Sequence, residues 1–243
     1  MTSLARESRR SVLGAVGVFV TAALLVACSA TTPRHERGAV ITAPAPPPEG
    51  PGLYRIDATR SELRLLVYRA GPMARLGHNH VIVNRALAGW VRFTGNLATA
   101  SFSLSAPASE FVVDDALARS EEGADFAEPV PEDAKVGTRR NMLSEAVLNS
   151  EKFPTITVDS VAVAPAAGAV DATVRLEVAG HQSTVLVPMT LDVQNGQILA
   201  SGSVTLQQTA LGLTPFSVFM GALQVQNELI VKFKLHAVAS SRD

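Results

Sequence analysis

Val170–Leu206 reads VDATVRLEVAGHQSTVLVPMTLDVQNGQILASGSVTL, and its period of two decides the fold. Val174, Leu176 and Val178 alternate with Thr173, Arg175 and Glu177, so an extended segment gains one apolar and one polar face. Gly180-His181-Gln182 marks a turn, after which Thr184 to Leu191 returns. Asn195-Gly196 then supplies the two central residues of a type I′ hairpin turn, where both positions need positive φ. Ile198 to Leu206 follows as the next strand.

The same alternation spreads outward from this core. Leu63, Leu65 and Val67 alternate with Arg64, Leu66 and Tyr68, and Phe102 and Leu104 with Ser101, Ser103 and Ser105. Ile156 and Val158 stand among Thr155, Thr157 and Asp159, while Leu229, Val231, Phe233 and Leu235 stand among Ile230, Lys232, Lys234 and His236. These segments, about eight in all, predict an all-β, antiparallel barrel or sandwich. The composition is 47% hydrophobic but only 5% aromatic. Walls of small aliphatic residues leave a slot for an aliphatic chain or fill a dry core, and an eight-stranded interior has room for either.

One segment breaks the rhythm. Gly137 to Ser150 places Met142, Leu143, Ala146 and Val147 at helical spacing, predicting one short helix near Thr138 to Ser150 with Thr138 as N-cap. Before it, Asp114 to Asp133 concentrates Asp and Glu, with Arg119 the lone counter-charge. It lacks the ligand spacing of an EF-hand and reads as a solvated insertion loop.

The N-terminal part has a different logic. Arg6, Arg9 and Arg10 precede the apolar run Ser11 to Ala27, which is short for a membrane span of about 20 residues. Leu25-Val26-Ala27-Cys28 resembles the lipobox of bacterial lipoproteins, which implies that Cys28, the chain's one cysteine, carries the lipid anchor. Ser8-Arg9-Arg10-Ser11 also resembles part of a twin-arginine signal. Ser29, in place of an aspartate after the cysteine, favours outer-membrane sorting. Residues 29–52 are rich in Pro, Thr and Ala and read as an extended spacer. The expected organisation is therefore 1–28 signal and lipobox, 29–52 linker and 53–243 barrel. The protein is expected to be exported and held on the periplasmic side of the outer membrane.

Across the domain, several stretches occur in an order that resembles the YceI-like family of exported, polyisoprenoid-binding proteins with a lipocalin-like β-barrel. They are Tyr54-Arg55-Ile56-Asp57, Gly77-His78-Asn79-His80, Phe153-Pro154-Thr155-Ile156 and Leu176-Glu177-Val178-Ala179-Gly180-His181. The acidic insertion and the Arg75-Leu76-Gly77-His78-Asn79-His80 stretch depart from the family's usual pattern. The resemblance implies a non-catalytic protein that binds or carries an isoprenoid-type lipid, a quinone or a polyprenyl chain, with no cofactor.

His78 and His80, two residues apart, point to one face of a strand and read as head-group or structural residues at the barrel mouth. The competing reading is a metal-dependent or hydrolytic module using this pair. A zinc site would need a further ligand such as His181, His236 or Asp57, which nothing local supplies. His181 reads as stabilising its turn. No Gly-x-Ser-x-Gly, phosphate loop or dinucleotide fingerprint is present, so no catalytic or metal residue is assigned. Phe216, Phe219 and Met220 form an apolar patch expected near the opening of the cavity, either as a flap that admits a hydrophobic chain or as a loop packed as a plug. A net charge of −1 gives no support for a nucleic-acid partner; the lipid, the membrane and a homodimer partner remain.

Overall fold

The computed structural model describes residues 44–47 and 49–240; the segment with Cys28 and most of the linker lie outside the described residues. Fourteen elements follow in order. They are β1 (Leu53–Ile56), β2 (Glu62–Ala70), β3 (His80–Asn84), β4 (Ala88–Arg92), β5 (Ser101–Pro107) and β6 (Val112–Val113). Next come α1 (Ala116–Ser120), α2 (Glu132–Leu143), β7 (Thr155–Ala166), β8 (Ala169–Val178), β9 (His181–Gln194), β10 (Gln197–Gln207), β11 (Ser217–Val218) and β12 (Leu223–Ala239).

Every pairing is antiparallel, and the order β1-β4-β5-β7-β8-β9-β10-β12 closes through β12 pairing β1. The two ends of β12 share the closure. Its C-terminal end meets β1 at Tyr54↔Ala239, and its N-terminal half meets β2 from Lys234↔Glu62 to Gln224↔Ala70. Because β2 also pairs β3, and β3 pairs β6, the couples β1/β2, β3/β4 and β5/β6 are each one interrupted barrel strand. With β7–β10 and β12 this makes a closed eight-stranded barrel. The strand period of two and the tight turns produce it: Ala179-Gly180 and Asn195-Gly196 both hold positive φ between strands in direct register.

The barrel packs apolar residues on both sides of one wall. Inward, Ile82 meets Phe111 and Val113, with Leu63, Leu65 and Val67 against them. Outward, Leu66, Val81 and Val83 bury against Ala118 and Phe126. Both of these last residues come from the acidic segment. That segment is therefore no solvated loop: it folds over the outer face of β2 and β3, which explains why all five residues of β3 are buried. Arg64 and Lys232 on the wall pair with Glu122 at 2.8 and 2.5 Å and hold the insertion's rim.

The helix differs from the sequence expectation. It starts six residues early, with Pro131 as N-cap and Glu132 and Asp133 in the first turn, where acids complement the helix dipole. It ends at Leu143, and Leu148 N–H turns back to the Met142 carbonyl, so Ala146 and Val147 sit in turns rather than on the helix. Thr138 is accordingly interior to α2 rather than its cap.

Candidate functional site

The inward residues of the strands enclose a cavity of about 540 Å³, inside the range of ligand pockets. Its body is aliphatic, with Val158, Val174, Val187, Val204 and Val231 on successive walls. At the end away from α2 it is closed in by apolar residues such as Ile56, Phe93, Leu97 and Ala237. At the other end α2 lies across the barrel and turns Ala134, Gly137, Thr138, Asn141 and Met142 to the cavity, spaced at three and four as a helix face requires. Apart from Ser105 on β5, the polar lining residues gather at this end: Arg69, His78, His80, Thr138, Asn141, Gln208 and Gln224. The cavity is thus an apolar tube with one polar end.

Its most elaborated polar group is a relay. His80 Nδ1 lies 2.7 Å from Asp114 Oδ2, and His80 Nε2 lies 3.2 Å from Thr138 Oγ1. Asp114 is buried, and its second oxygen accepts from Val81 N–H at 3.0 Å and Arg119 Nη1 at 2.7 Å. Asp114 also donates its own N–H to the Val81 carbonyl and holds φ of 55°, a left-handed conformation that aspartate tolerates better than most residues. Arg119 extends the network to the carbonyls of Asn79 and Glu128. Burial alone would push the Asp114 carboxyl up. The His80 ring, Val81 N–H and Arg119 outweigh it and hold the group below the usual carboxylate range. The ionised Asp114 accepts from His80 Nδ1, and the other ring nitrogen faces the Thr138 hydroxyl.

His78 and His80 both reach the cavity, with ring centroids 6.2 Å apart, although His78 precedes β3 rather than standing on it. Both His80 nitrogens already have partners. Among the described residues no three His, Cys, Asp or Glu side chains converge as a metal site. His236 and Asp57 meet at the opposite end of the barrel, where Asp57 N–H donates to the His236 carbonyl. His181 opens β9, and its ring covers Gly212, where an added Cβ would fall 2.5 Å from Cγ. It thereby pins the Gln208–Leu211 turn to the barrel.

The apolar patch divides. Phe216 lines the cavity, whereas Phe219 and Met220 stand in solvent, 69% and 106% exposed. β11 pairs with the start of β12, and the connecting turn holds Phe219 and Met220 at φ of 51° and 54°; both side chains point away from the cavity. Sequence reasoning assigned none of Asp114, Thr138, Asn141, Arg69 or Gln208 to the site. The lone Arg119 amid acids is the one signal that a buried acid lay nearby.

The YceI-like domain family matches residues 54–237. Among solved structures, BcnA of Burkholderia cenocepacia superposes with a TM-score of 0.57 at 17% identity, covering 75% of this chain and 99% of that one. A polyisoprenoid binding domain from Saccharophagus degradans, implicated in plant cell wall breakdown, superposes with a TM-score of 0.52 at 14% identity, covering 77% and 98%. At these identities both likenesses concern the fold. No curated protein matches the chain.

Proposed function

The chain belongs to the YceI-like domain family, and on that footing we propose that its barrel binds and carries an isoprenoid-type lipid, a quinone or a polyprenyl chain. The observation that carries this reading is the cavity's form: an aliphatic tube of about 540 Å³ with its polar lining at one end. An amphiphile with a long apolar chain and one small head matches that distribution. Burial of the chain contributes roughly 25 cal/mol per Å² of apolar surface, and the polar end fixes the head. The solved polyisoprenoid binding domain of the same fold supports the choice of lipid class.

At the polar end the Thr138 hydroxyl, paired with His80 Nε2 at 3.2 Å, keeps oxygen lone pairs for a ligand hydroxyl. Arg119 is committed to Asp114 and two carbonyls, and Arg69 to the Gly77 carbonyl and Glu128, so neither arginine at this end stands without partners. This favours an uncharged head bearing a hydroxyl or carbonyl. The order Asp114–His80–Thr138 is also that of a hydrolase triad. Thr138, however, is the seventh residue of a twelve-residue helix. Beyond the first turn the backbone N–H groups are spent on helix bonds, so none flanks Thr138 as an oxyanion donor. Binding is the better reading.

We place the protein on the periplasmic side of the outer membrane, held by acyl chains on Cys28. Two chains are needed for firm attachment, since one binds only marginally. Cys28→Ser is expected to abolish incorporation of a palmitate analogue; persistent labelling of that variant contradicts the anchor. For the binding function, the delipidated full chain is offered a polyprenol as a cyclodextrin complex. Uptake of one molecule per chain is expected, and no uptake contradicts the reading.

A further inference from the structure

Apart from the cavity, one feature of the surface has no use in the function above. Phe219 and Met220 are large, apolar and fully offered to solvent, in consecutive left-handed conformations that side-chain-bearing residues seldom adopt. They do not stand alone. Met73 N–H donates to the Ala222 carbonyl at 2.7 Å, and an added Cβ at Gly71 would meet the Gly221 and Ala222 carbonyls at 2.7 and 2.6 Å. The two loops are therefore laced backbone to backbone, and the first of them also carries Leu76, 56% exposed, and the exposed Arg75.

The charge pattern narrows what such a tip can touch. From Val193 to Asn227 the chain has no Asp, Glu, Lys or Arg at all, and residues 70–79 carry Arg75 alone. The acidic insertion reaches the neighbouring Arg69–Asn79 stretch, where Asn79 Nδ2 donates to the Asp125 carbonyl at 3.0 Å and Glu128 pairs with Arg69 at 3.6 Å. An apolar tip without acids and with one cation suits the interfacial region of a bilayer, where aromatic and thioether side chains enter and arginine meets lipid phosphate. The tip also continues into the cavity wall, since Phe216 and Leu223 on either side of it line the lumen.

We infer that the Phe219-Met220 tip, with Leu76 and Arg75 beside it, is a membrane-docking surface that seats the polar end of the cavity against a lipid bilayer. A lipid then passes between bilayer and barrel without crossing water. The purpose of the docking rests on the lipid-binding function; its test does not. Full-length chain is footprinted with hydroxyl radicals, read by mass spectrometry, before and after addition of phosphatidylglycerol–phosphatidylethanolamine vesicles. Labelling of Phe219, Met220 and Leu76 is expected to fall several-fold on vesicles, while Leu186 and Val161, exposed on the barrel wall, keep their rates. In the variant Phe219→Ser with Met220→Ser, which alters solvent-facing positions only, Leu76 is expected to lose its vesicle-dependent protection. Labelling of the tip that, like that of Leu186, does not change on vesicles overturns the inference, even if the N-terminal anchor holds the chain there. So does protection of the tip that appears without vesicles as protein concentration rises, because the surface would then meet a second copy. Failure of polyprenol uptake from cyclodextrin in vesicle-free solution would instead count against the cavity function.

Discussion

The imidazole of His80 and the carboxylate of Asp114, thirty-four residues apart in sequence, meet at 2.7 Å where the acidic insertion crosses the cavity's polar end. This contact joins two parts of the molecule: barrel strand β3, whose His80 and Ile82 face the lumen, and an insertion that covers its outer face. It makes the insertion a support of the site rather than an ornament on it.

Asp114→Asn removes the charge that Arg119 and His80 share. Leaving a buried cation without its counter-charge typically costs about 3–5 kcal/mol. The pH dependence follows from a carboxyl held below its ordinary value of about 3.9. Its contribution to stability is complete above that value and is lost as pH falls through the lower, folded-state value. Denaturant titrations between neutral pH and pH 2 are expected to show this acid loss in the native chain and a shallower one in the variant. Identical slopes would mean that Asp114 is not the ionised centre of the network.

Thr138→Val keeps the shape of the side chain and deletes its hydroxyl. Stability is expected to change by no more than about 1.5 kcal/mol. Affinity for a polyprenol is expected to drop about tenfold, equivalent to 1.4 kcal/mol, with no loss for the matching hydrocarbon. Titration of both ligands against both proteins checks this; parallel losses would assign Thr138 a packing role.

Much of the barrel was legible because strand pairing here obeys local signals. Val174, Leu176 and Val178 alternate toward the lumen as their spacing requires, and Asn195-Gly196 turns as its φ values demand. The helix boundary was missed although Pro131 followed by Glu132 and Asp133 is a start signal, because the apolar spacing of Met142 to Val147 was weighed more heavily. Asp114 and Phe126 could not be read as buried, since an acid or an aromatic in a polar run looks the same whether it meets water or a distant wall. Val81 and Val83 face away from the lumen, and nothing local in the sequence says that the insertion covers them. Phe219 and Met220 carried the opposite lesson: hydrophobicity alone suggested a flap or plug at the cavity's opening, and the left-handed turn leaves both side chains in solvent.

The docked end of the linker has its own reporter. The chain has one tryptophan, Trp90. Its indole N–H donates to the Ala45 carbonyl, and Ala45 N–H donates to Ser103 Oγ at 3.2 Å. Residues 44–47 thus lie on the outer wall over Trp90, which is only 6% exposed, so this part of the linker is a strap rather than a free spacer. Ala45→Pro deletes one of the two bonds, worth about 1 kcal/mol. Trp90 emission is expected to shift to the red and become more quenchable by iodide; unchanged emission would mean that the strap does not shield the indole.

The central claim is that the aliphatic tube itself holds the lipid. Val204 stands on β10 opposite Val231 on β12, and both side chains line the lumen. Val204→Phe places an aromatic ring in the middle of that space while leaving the polar end and the tip untouched. Native mass spectrometry of the full chain, purified without delipidation, is expected to show one isoprenoid-sized mass increment per chain in the natural protein and none in the folded variant. An increment that survives in Val204→Phe, or its absence from the natural protein even after exposure to polyprenol, would contradict the account.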